Sequence, residues 1–277
     1  MSRPRLIIFT DLDGTLLDHD TYDWSPAKPA LEELEKHRIP LILNSSKTTA
    51  ELQRLRREIG NHHPYIAENG AVLVIPAGYF GSADADADAG DSDSDEIIRF
   101  GSPRQDLLEV LGRLREDGYS FLGFNDMSVE QLAAETGLDP ASAALAKKRL
   151  ATEPVLWQGN QMEIDGFRRA LEQEDLKLVK GGRFFHVMGA FDKARPIGAL
   201  MKRYQSFYAG EELVSVALGD GPNDRPMLEE ADIAVVIRAA RPEPLVLSED
   251  HSVMYSDRKG PEGWKQCVMT ILAGKGY

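Results

Sequence analysis

The amino-acid sequence predicts an α/β protein: a doubly wound parallel-sheet (Rossmann-like) core domain with an inserted α+β domain. Three observations predict it. Short apolar runs alternate with helix-spaced apolar stripes towards both ends of the chain, the order that builds a parallel sheet covered on both faces. Four strand-like runs end in polar residues, and open α/β sheets carry their ligand sites at the carboxyl ends of strands. Between the two regular regions, strands and helices alternate irregularly, as in a separate α+β unit.

Taken in order, LIIF at residues 6–9 is continuously apolar, the mark of a strand buried on both faces. Ser25 and Pro26 read as a helix start, a capping hydroxyl with proline in the first turn, and Leu31 and Leu34 continue that helix. PLILNSSKT holds a second strand at 41–43, and Leu52, Leu55 and Ile59 are helix-spaced after it. YIAENG is a short third strand, and AVLVI at 71–75 returns beside it as a hairpin. Residues 81–96, GSADADADAGDSDSDE, are acidic and nearly free of apolar side chains, so they read as a mobile loop. A calcium loop counted from Asp84 needs glycine sixth and glutamate twelfth; Ala89 and Asp95 stand there.

In the middle region Leu107, Leu111 and Leu114 mark a helix, YSFLGF a strand and Val129 to Leu132 another helix. DPASAALAKKRL, PVLW, the stripe around Phe167 and Leu171, LKLV and RFFHVMG follow as helix, strand, helix, strand and strand. Regular order then resumes. Ala194, Ile197, Leu200, Met201 and Tyr204 form a helical stripe, LVSVALGDG runs from strand into turn, and IAVVI is a further buried strand. The expected division is a core of residues 1–80 and 189–277 with an insert at 81–188, its acidic loop at 82–96.

The chain has 277 residues and a formal net charge of -13. Such an excess of acid excludes a nucleic-acid groove or an anionic membrane surface, which need surplus Lys and Arg. Cys267 is the single cysteine, so no intrachain disulfide forms and a reducing cytoplasm is expected. No apolar run approaches the ~18 residues of a membrane helix. The expected state is a monomer or weak homodimer.

Asp11 and Asp13 stand one residue apart after the first strand. At ~4 Å two carboxylates repel by roughly 4 kcal/mol at an effective dielectric of 20, so a cation must offset them or one must hold a proton. Ser45 ends the second strand, Glu68, Asn69 and Gly70 the third, and Asp220 and Asp224 follow VALG, with Lys193 before the preceding helix. Asp11, Asp13 and Asp220 could together hold Mg²⁺, a hard cation that prefers oxygen. Each feature alone has an ordinary reading. Asp-x-Asp suits a turn, Ser45 and Ser46 suit helix caps, Lys193 suits solvent, and GDGPND suits a loop before a helix. An EF-hand is excluded, since Leu16 and Tyr22 stand where glycine and glutamate are required. Jointly, with each at a strand end and in this order, the ordinary readings no longer suffice.

DLDGT, Ser45, Lys193 and GDGPND, in that order, resemble the four motifs of the haloacid dehalogenase superfamily of Mg²⁺-dependent phosphohydrolases. The resemblance implies that Asp11 is the nucleophile and forms an aspartyl phosphate. Asp13 would act as acid for the leaving alkoxide and then as base for water. The Asp11 side chain, the Asp13 carbonyl and the Asp220 side chain would bind Mg²⁺, with Asn223 and Asp224 supporting them. Ser45 and Lys193 would hold the phosphoryl oxygens; Lys180 is the competing lysine, but it lies in the insert.

In relatives such an insert caps the site. FTDLDGTLLDHDTYDWSPA, NSSKT, AENGA, LAKKRLATEPVLW, GRFFHVMGAFDK and LGDGPNDRPML look like the mannosyl-3-phosphoglycerate phosphatase family over nearly the whole chain, the acidic loop apart. That resemblance implies hydrolysis of a small sugar phosphate, mannosyl-3-phosphoglycerate, to the compatible solute mannosylglycerate. Arg149 and Arg183 are candidates for gripping its carboxylate, although Lys147, Lys148 and Arg149 read equally as a solvated helix face. Glu153 or Gln158 suits sugar hydroxyls, Glu68 and Asn69 sit at a strand end, and His186 is either polar lining or a core histidine beside Phe184 and Phe185. Ala194 departs from the glycine often found after the lysine, and Thr152 from a more usual serine. The rival expectations are glucosyl-3-phosphoglycerate or sucrose phosphate as substrate, a phosphomutase, and a non-catalytic sensor.

Overall fold

The computed structural model describes residues 3–81, 94–181, 184–239, 245, 247–248 and 253–277. The first elements are β1 (Arg5–Thr10), α1 (Lys28–Lys36), β2 (Leu41–Asn44), α2 (Thr49–Ile59), β3 (Tyr65–Ala67), β4 (Val72–Ile75) and β5 (Glu96–Arg99). Then come α3 (Arg104–Glu116), β6 (Phe121–Gly123), α4 (Val129–Thr136), α5 (Pro140–Ala146), β7 (Thr152–Trp157), α6 (Gln161–Glu172), β8 (Leu176–Lys180) and β9 (Phe185–Gly189). The last are α7 (Arg195–Phe207), β10 (Leu213–Gly219), α8 (Arg225–Glu230), β11 (Ile233–Arg238), β12 (Val253–Lys259) and α9 (Gly260–Gly274).

Among the described residues these strands form two sheets. The larger has the order β12-β11-β10-β1-β2-β3-β4-β5 and is parallel from β12 to β3, with β4 and β5 antiparallel. The chain winds from β1 towards β3 on one side and resumes at β10 on the other, so the winding reverses between β1 and β10, where ligand sites arise. Alternate residues of β1 feed two cores. Leu6 and Ile8 pack with α1, α2 and α9, whereas Ile7 and Phe9 pack with α7 and α8. All four are fully buried, each stabilising by roughly 1.5–3 kcal/mol. Beneath the strand's end, Trp264 Nε1 donates to Thr10 Oγ1 at 3.0 Å, and that hydroxyl donates to the Asp11 carbonyl at 2.7 Å.

The smaller sheet, β6-β7-β9-β8, is antiparallel. Helices α3 and α6 cover one face, packing Leu107, Leu111, Phe167 and Leu171 against Val155 and Val187. Strand alternation therefore turns Thr152, Pro154, His186 and Met188 to the opposite face, and Met188 joins the core of the larger sheet.

Several elements differ from the sequence expectation. Strand β5 lies in the stretch assigned to the insert at 81–188, and Glu96 in the expected loop at 82–96. Pairing from Ile75 with Glu96 to Val72 with Arg99 puts both on the larger sheet. Only Ile98 of this edge strand packs inward while Ile97 is exposed, too short a pattern to register in sequence. Residues 82–93 lie outside the described residues. Ser25 does not cap α1: it precedes a tight turn, donating to both oxygens of Asp23, and the helix begins at Lys28. Helix α5 ends at Ala146, so Lys147, Lys148 and Arg149 do not form a solvated helix face; Arg149 is only 8% exposed. Strand β12 and helix α9 were not read from the sequence.

Candidate active site

The site is built where β1 meets β10. Asp11 N donates to the Leu218 carbonyl at 2.9 Å, so the first strand ends in register with the tenth. The following turn closes by Leu17 N donating to the Leu12 carbonyl at 2.8 Å and Gly14 N to the Leu17 carbonyl at 2.9 Å. Gly14 has a φ of +85°, and a Cβ there would meet Asp220 Oδ2 at 2.5 Å. Glycine is what lets the Asp220 carboxylate lie against the turn.

Lys193 is the centre of the polar cluster. Its Nζ donates to Asp11 Oδ1 at 2.5 Å and to Asp224 Oδ1 at 2.6 Å, and all three residues are buried. Its carbonyl accepts from Asn44 Nδ2 at 2.9 Å, tying the lysine to the end of β2. Asp192 Oδ1 accepts from Ala194 N and Arg195 N and so starts α7. On the other side, Asp224 Oδ2 accepts from Asp220 N at 3.0 Å and Gly221 N at 3.1 Å, and Thr15 Oγ1 donates to Asp220 Oδ1 at 3.1 Å. Asn223 is half-buried in the turn between the two aspartates.

Asp11, Asp220 and Asp224 each bring a carboxylate oxygen within 4.8 Å of the others. Hydrogen bonds occupy both Asp224 oxygens but only one each on Asp11 and Asp220. Two carboxylates with a free hard oxygen fit Mg²⁺, which takes one or two carboxylates and otherwise water or phosphate oxygens. The electrostatics agree. Burial, then the Asp224 charge, pushes the Asp11 carboxyl well above its usual range against the pull of Lys193. Burial and Asp224 likewise raise Asp220 to about 7. A bound divalent cation inverts that pressure. Burial works against the Lys193 ammonium, but Asp11 and Asp224 outweigh it and hold the proton on.

Asp13 faces a different partner. Its Oδ1 lies 2.9 Å from Lys47 Nζ, and that ammonium sits 4.9 Å from the centre of the Tyr22 ring. Ser45 is buried at the end of β2, its N donating to the Ile66 carbonyl and its Oγ accepting from Lys47 N at 3.3 Å. Lys47, Asn44 and Thr15 were missed from the sequence. Lys47 had a signal, a cation two positions past Ser45 at a strand end.

The residues assigned to substrate divide. Glu68 is fully buried with φ +53°, and its carboxylate accepts from Leu150 N at 2.7 Å, Ala151 N at 3.1 Å and Thr152 Oγ1 at 2.8 Å. It straps the segment before β7 to the larger sheet. Arg149 donates from Nε to Thr152 Oγ1 at 2.9 Å and from a terminal nitrogen to the Ser46 carbonyl at 2.7 Å, which holds it over the Ser45–Lys47 loop. Asn69 and His186 each keep a buried atom, Oδ1 and Nδ1, without a hydrogen-bond partner among the described residues. Burial, with Arg149 and Lys193 nearby, pulls His186 down to about 3, so its ring is neutral. Glu153 shares the face of Val155 and points to α3, where Arg104 Nε donates to it at 2.7 Å and Asn125 N at 2.6 Å. Gln158 is exposed beyond the far end of β7, beside Ser120. Arg183 lies outside the described residues. Lys180 ends β8 and is exposed.

A reversal-point cluster of carboxylates around one buried lysine defines a class, enzymes that handle phosphoryl groups, and comparison with known proteins gives the family. Residues 8–83 match the family model of haloacid dehalogenase-like hydrolases. A glucosyl-3-phosphoglycerate/mannosyl-3-phosphoglycerate phosphatase of Methanococcoides burtonii is 36% identical over 269 residues, covering 96% of this chain and 97% of its own. A phosphatase of the same name from Persephonella marina is 35% identical, again over 96% and 97% of the two chains. A solved structure from Thermoplasma acidophilum shares the fold at a TM-score of 0.65 and 19% identity, covering 99% of both chains. The chain belongs to the haloacid dehalogenase-like hydrolases, and it is a phosphatase. No helix among the described residues is long and apolar enough to cross a membrane.

Proposed function

We propose that this phosphatase is a Mg²⁺-dependent hydrolase of glycosyl-3-phosphoglycerates, releasing phosphate from the mannosyl ester through an aspartyl-phosphate intermediate. The observation that carries the chemistry is the Lys193 bridge between Asp11 and Asp224. It fixes a carboxylate oxygen at a strand end and supplies a buried positive charge beside it. Mg²⁺, held by Asp11 and Asp220 with the Asp13 carbonyl, would supply the further charge that lets a carboxylate approach a phosphate dianion.

In the first step a carboxylate oxygen of Asp11 attacks phosphorus. The bond from phosphorus to the ester oxygen breaks, and Asp13 gives its proton to the departing alkoxide. Ser45 Oγ, Lys193 and the backbone N–H groups of Leu12 and Asp13 hold the phosphoryl oxygens. In the second step water attacks the aspartyl phosphate and Asp13 takes its proton. The bond from phosphorus to Asp11 breaks, and inorganic phosphate leaves. Residues 101–188 act as the cap, a boundary moved inward from 81 because β5 belongs to the larger sheet. Asn69 Oδ1 and His186 Nδ1 are available to substrate hydroxyls, with Arg149 beside them. The shared name of the two relatives keeps the glucosyl ester as an equal second substrate.

The test is Mg²⁺-dependent phosphate release from mannosyl- and glucosyl-3-phosphoglycerate, 3-phosphoglycerate and an aryl phosphate. Preference for the glycosyl esters is expected. Turnover of the aryl phosphate alone would discard the substrate and keep the chemistry. Asp11→Asn should lower kcat by at least about a thousandfold, as expected for a covalent nucleophile, with an unchanged unfolding transition. A wild-type rate in that variant removes Asp11 from the mechanism.

A further inference from the structure

We infer that Lys47 determines specificity: it binds a carboxylate on the leaving alcohol and so selects phosphate esters of hydroxy acids over neutral ones. The inference rests on the phosphoglycerate reading and deepens it.

If Asp13 protonates the leaving oxygen, that oxygen lies within one hydrogen bond of its carboxylate. Lys47 Nζ touches the same carboxylate, 2.9 Å from Oδ1. In a 3-phosphoglycerate the carboxyl carbon is only three bonds from the ester oxygen. A cation in contact with the acid is therefore within reach of the carboxylate of any substrate whose leaving oxygen the acid serves. A neutral sugar phosphate has nothing there to offer.

Three other cations among the described residues are held elsewhere. Lys193 lies between Asp11 and Asp224. Arg149 is held by Thr152 and the Ser46 carbonyl, and Arg104 by Glu153. Asp13 takes a single contact from an ammonium that carries three protons, and among the described residues it is the one carboxylate at ion-pair distance from Lys47.

Lys47 is also held still. Its side chain is 17% exposed, with the Tyr22 ring against the charge. The residues on either side are fastened to the smaller unit, Ser46 through Arg149 and Thr48 Oγ1 through the Leu145 carbonyl at 3.0 Å. A rigid, partly desolvated cation beside the acid is suited to choosing among leaving groups by charge.

The experiment measures kcat and KM of wild type, Lys47→Met and Lys47→Arg on mannosyl-3-phosphoglycerate and on 4-nitrophenyl phosphate, which has no carboxylate. Losing a charged hydrogen bond to substrate should lower kcat/KM for the glycosyl ester by about 30-fold more than for the aryl phosphate. Most of that difference should lie in KM, and arginine should restore it. An equal fall on both substrates overturns the inference, because it means Lys47 only positions Asp13. Wild-type enzyme inactive on glycosyl esters but active on the aryl phosphate refutes the proposed substrate instead. If Lys47→Met does not fold, wild type decides. 3-Phosphoglycerate should inhibit aryl phosphate hydrolysis about tenfold more strongly than glycerol 3-phosphate, which lacks the carboxylate. Equal inhibition overturns the inference.

Discussion

Gly70 is where the loop after β3 presses on the segment that carries the lysine. Its φ is +97°, and a Cβ there would lie 1.9 Å from the Asp192 carbonyl oxygen. No rotamer relieves a backbone collision, so Gly70→Ala should cost at least about 3 kcal/mol and lower kcat by displacing Lys193. Gly60, which ends α2 at φ +69° with open space around it, is the control. Gly60→Ala should cost only about 1 kcal/mol. Urea unfolding of the two variants checks the contrast, and equal losses would mean the Gly70 contact is not tight. At this scale the sequence was most legible where a residue's partners lie at strand ends. Asp11, Lys193, Asp220 and Asp224 converge for that reason. Glu153 was illegible because its partner, Arg104, is fixed by the packing of α3 on the smaller sheet and by nothing near it in sequence.

Among the elements, the segment joining α5 to β7 depends on one carboxylate. Glu68 accepts three hydrogen bonds from residues 150–152, so the loop after β3 carries the start of β7. Glu68→Gln replaces one accepting oxygen with a donor and sets it against a backbone N–H or the Thr152 hydroxyl. The expected cost is about 1–3 kcal/mol, read as a roughly tenfold or greater rise in hydrogen exchange at Leu150 and Ala151. Unchanged protection there would show that packing alone holds the segment. Elements with continuous apolar runs, β1, β2, β10 and β11, were plain in the sequence because both faces of a parallel strand are buried. Strands β5 and β12 lie at the two edges of the larger sheet and are exposed along much of their length. A half-exposed edge strand has no run to read.

The whole molecule's response to acid has a buried source outside the site. His63 Nδ1 lies 2.6 Å from the Tyr79 hydroxyl, which in turn lies 2.8 Å from the Tyr204 hydroxyl. Burial, with Arg56 and His62 adding to it, pulls His63 from 6.5 down to about 4. Between those values the unfolded chain binds a proton that the folded one does not. The stability contributed is therefore complete above about pH 6.5 and drains away as pH falls towards 4, by at most roughly 3 kcal/mol. His63→Gln should flatten the decline in unfolding free energy over that window. A variant with the wild-type slope would assign the acid sensitivity to other groups.

The pairing of β1 with β10, from Arg5 with Leu213 to Thr10 with Leu218, also bears on how the protein is made. Asp11 leaves the ribosome well before Lys193, 182 residues further along, and Asp220 and Asp224 follow later still. Until β10 and the turn after it are free, β1 waits with one edge open, and an unpaired apolar edge invites association with other chains. A nascent chain thus carries Asp11 without the groups that converge on it. The site can assemble only once the turn after β10 has emerged, and the interval before then is when a chaperone has most to shield.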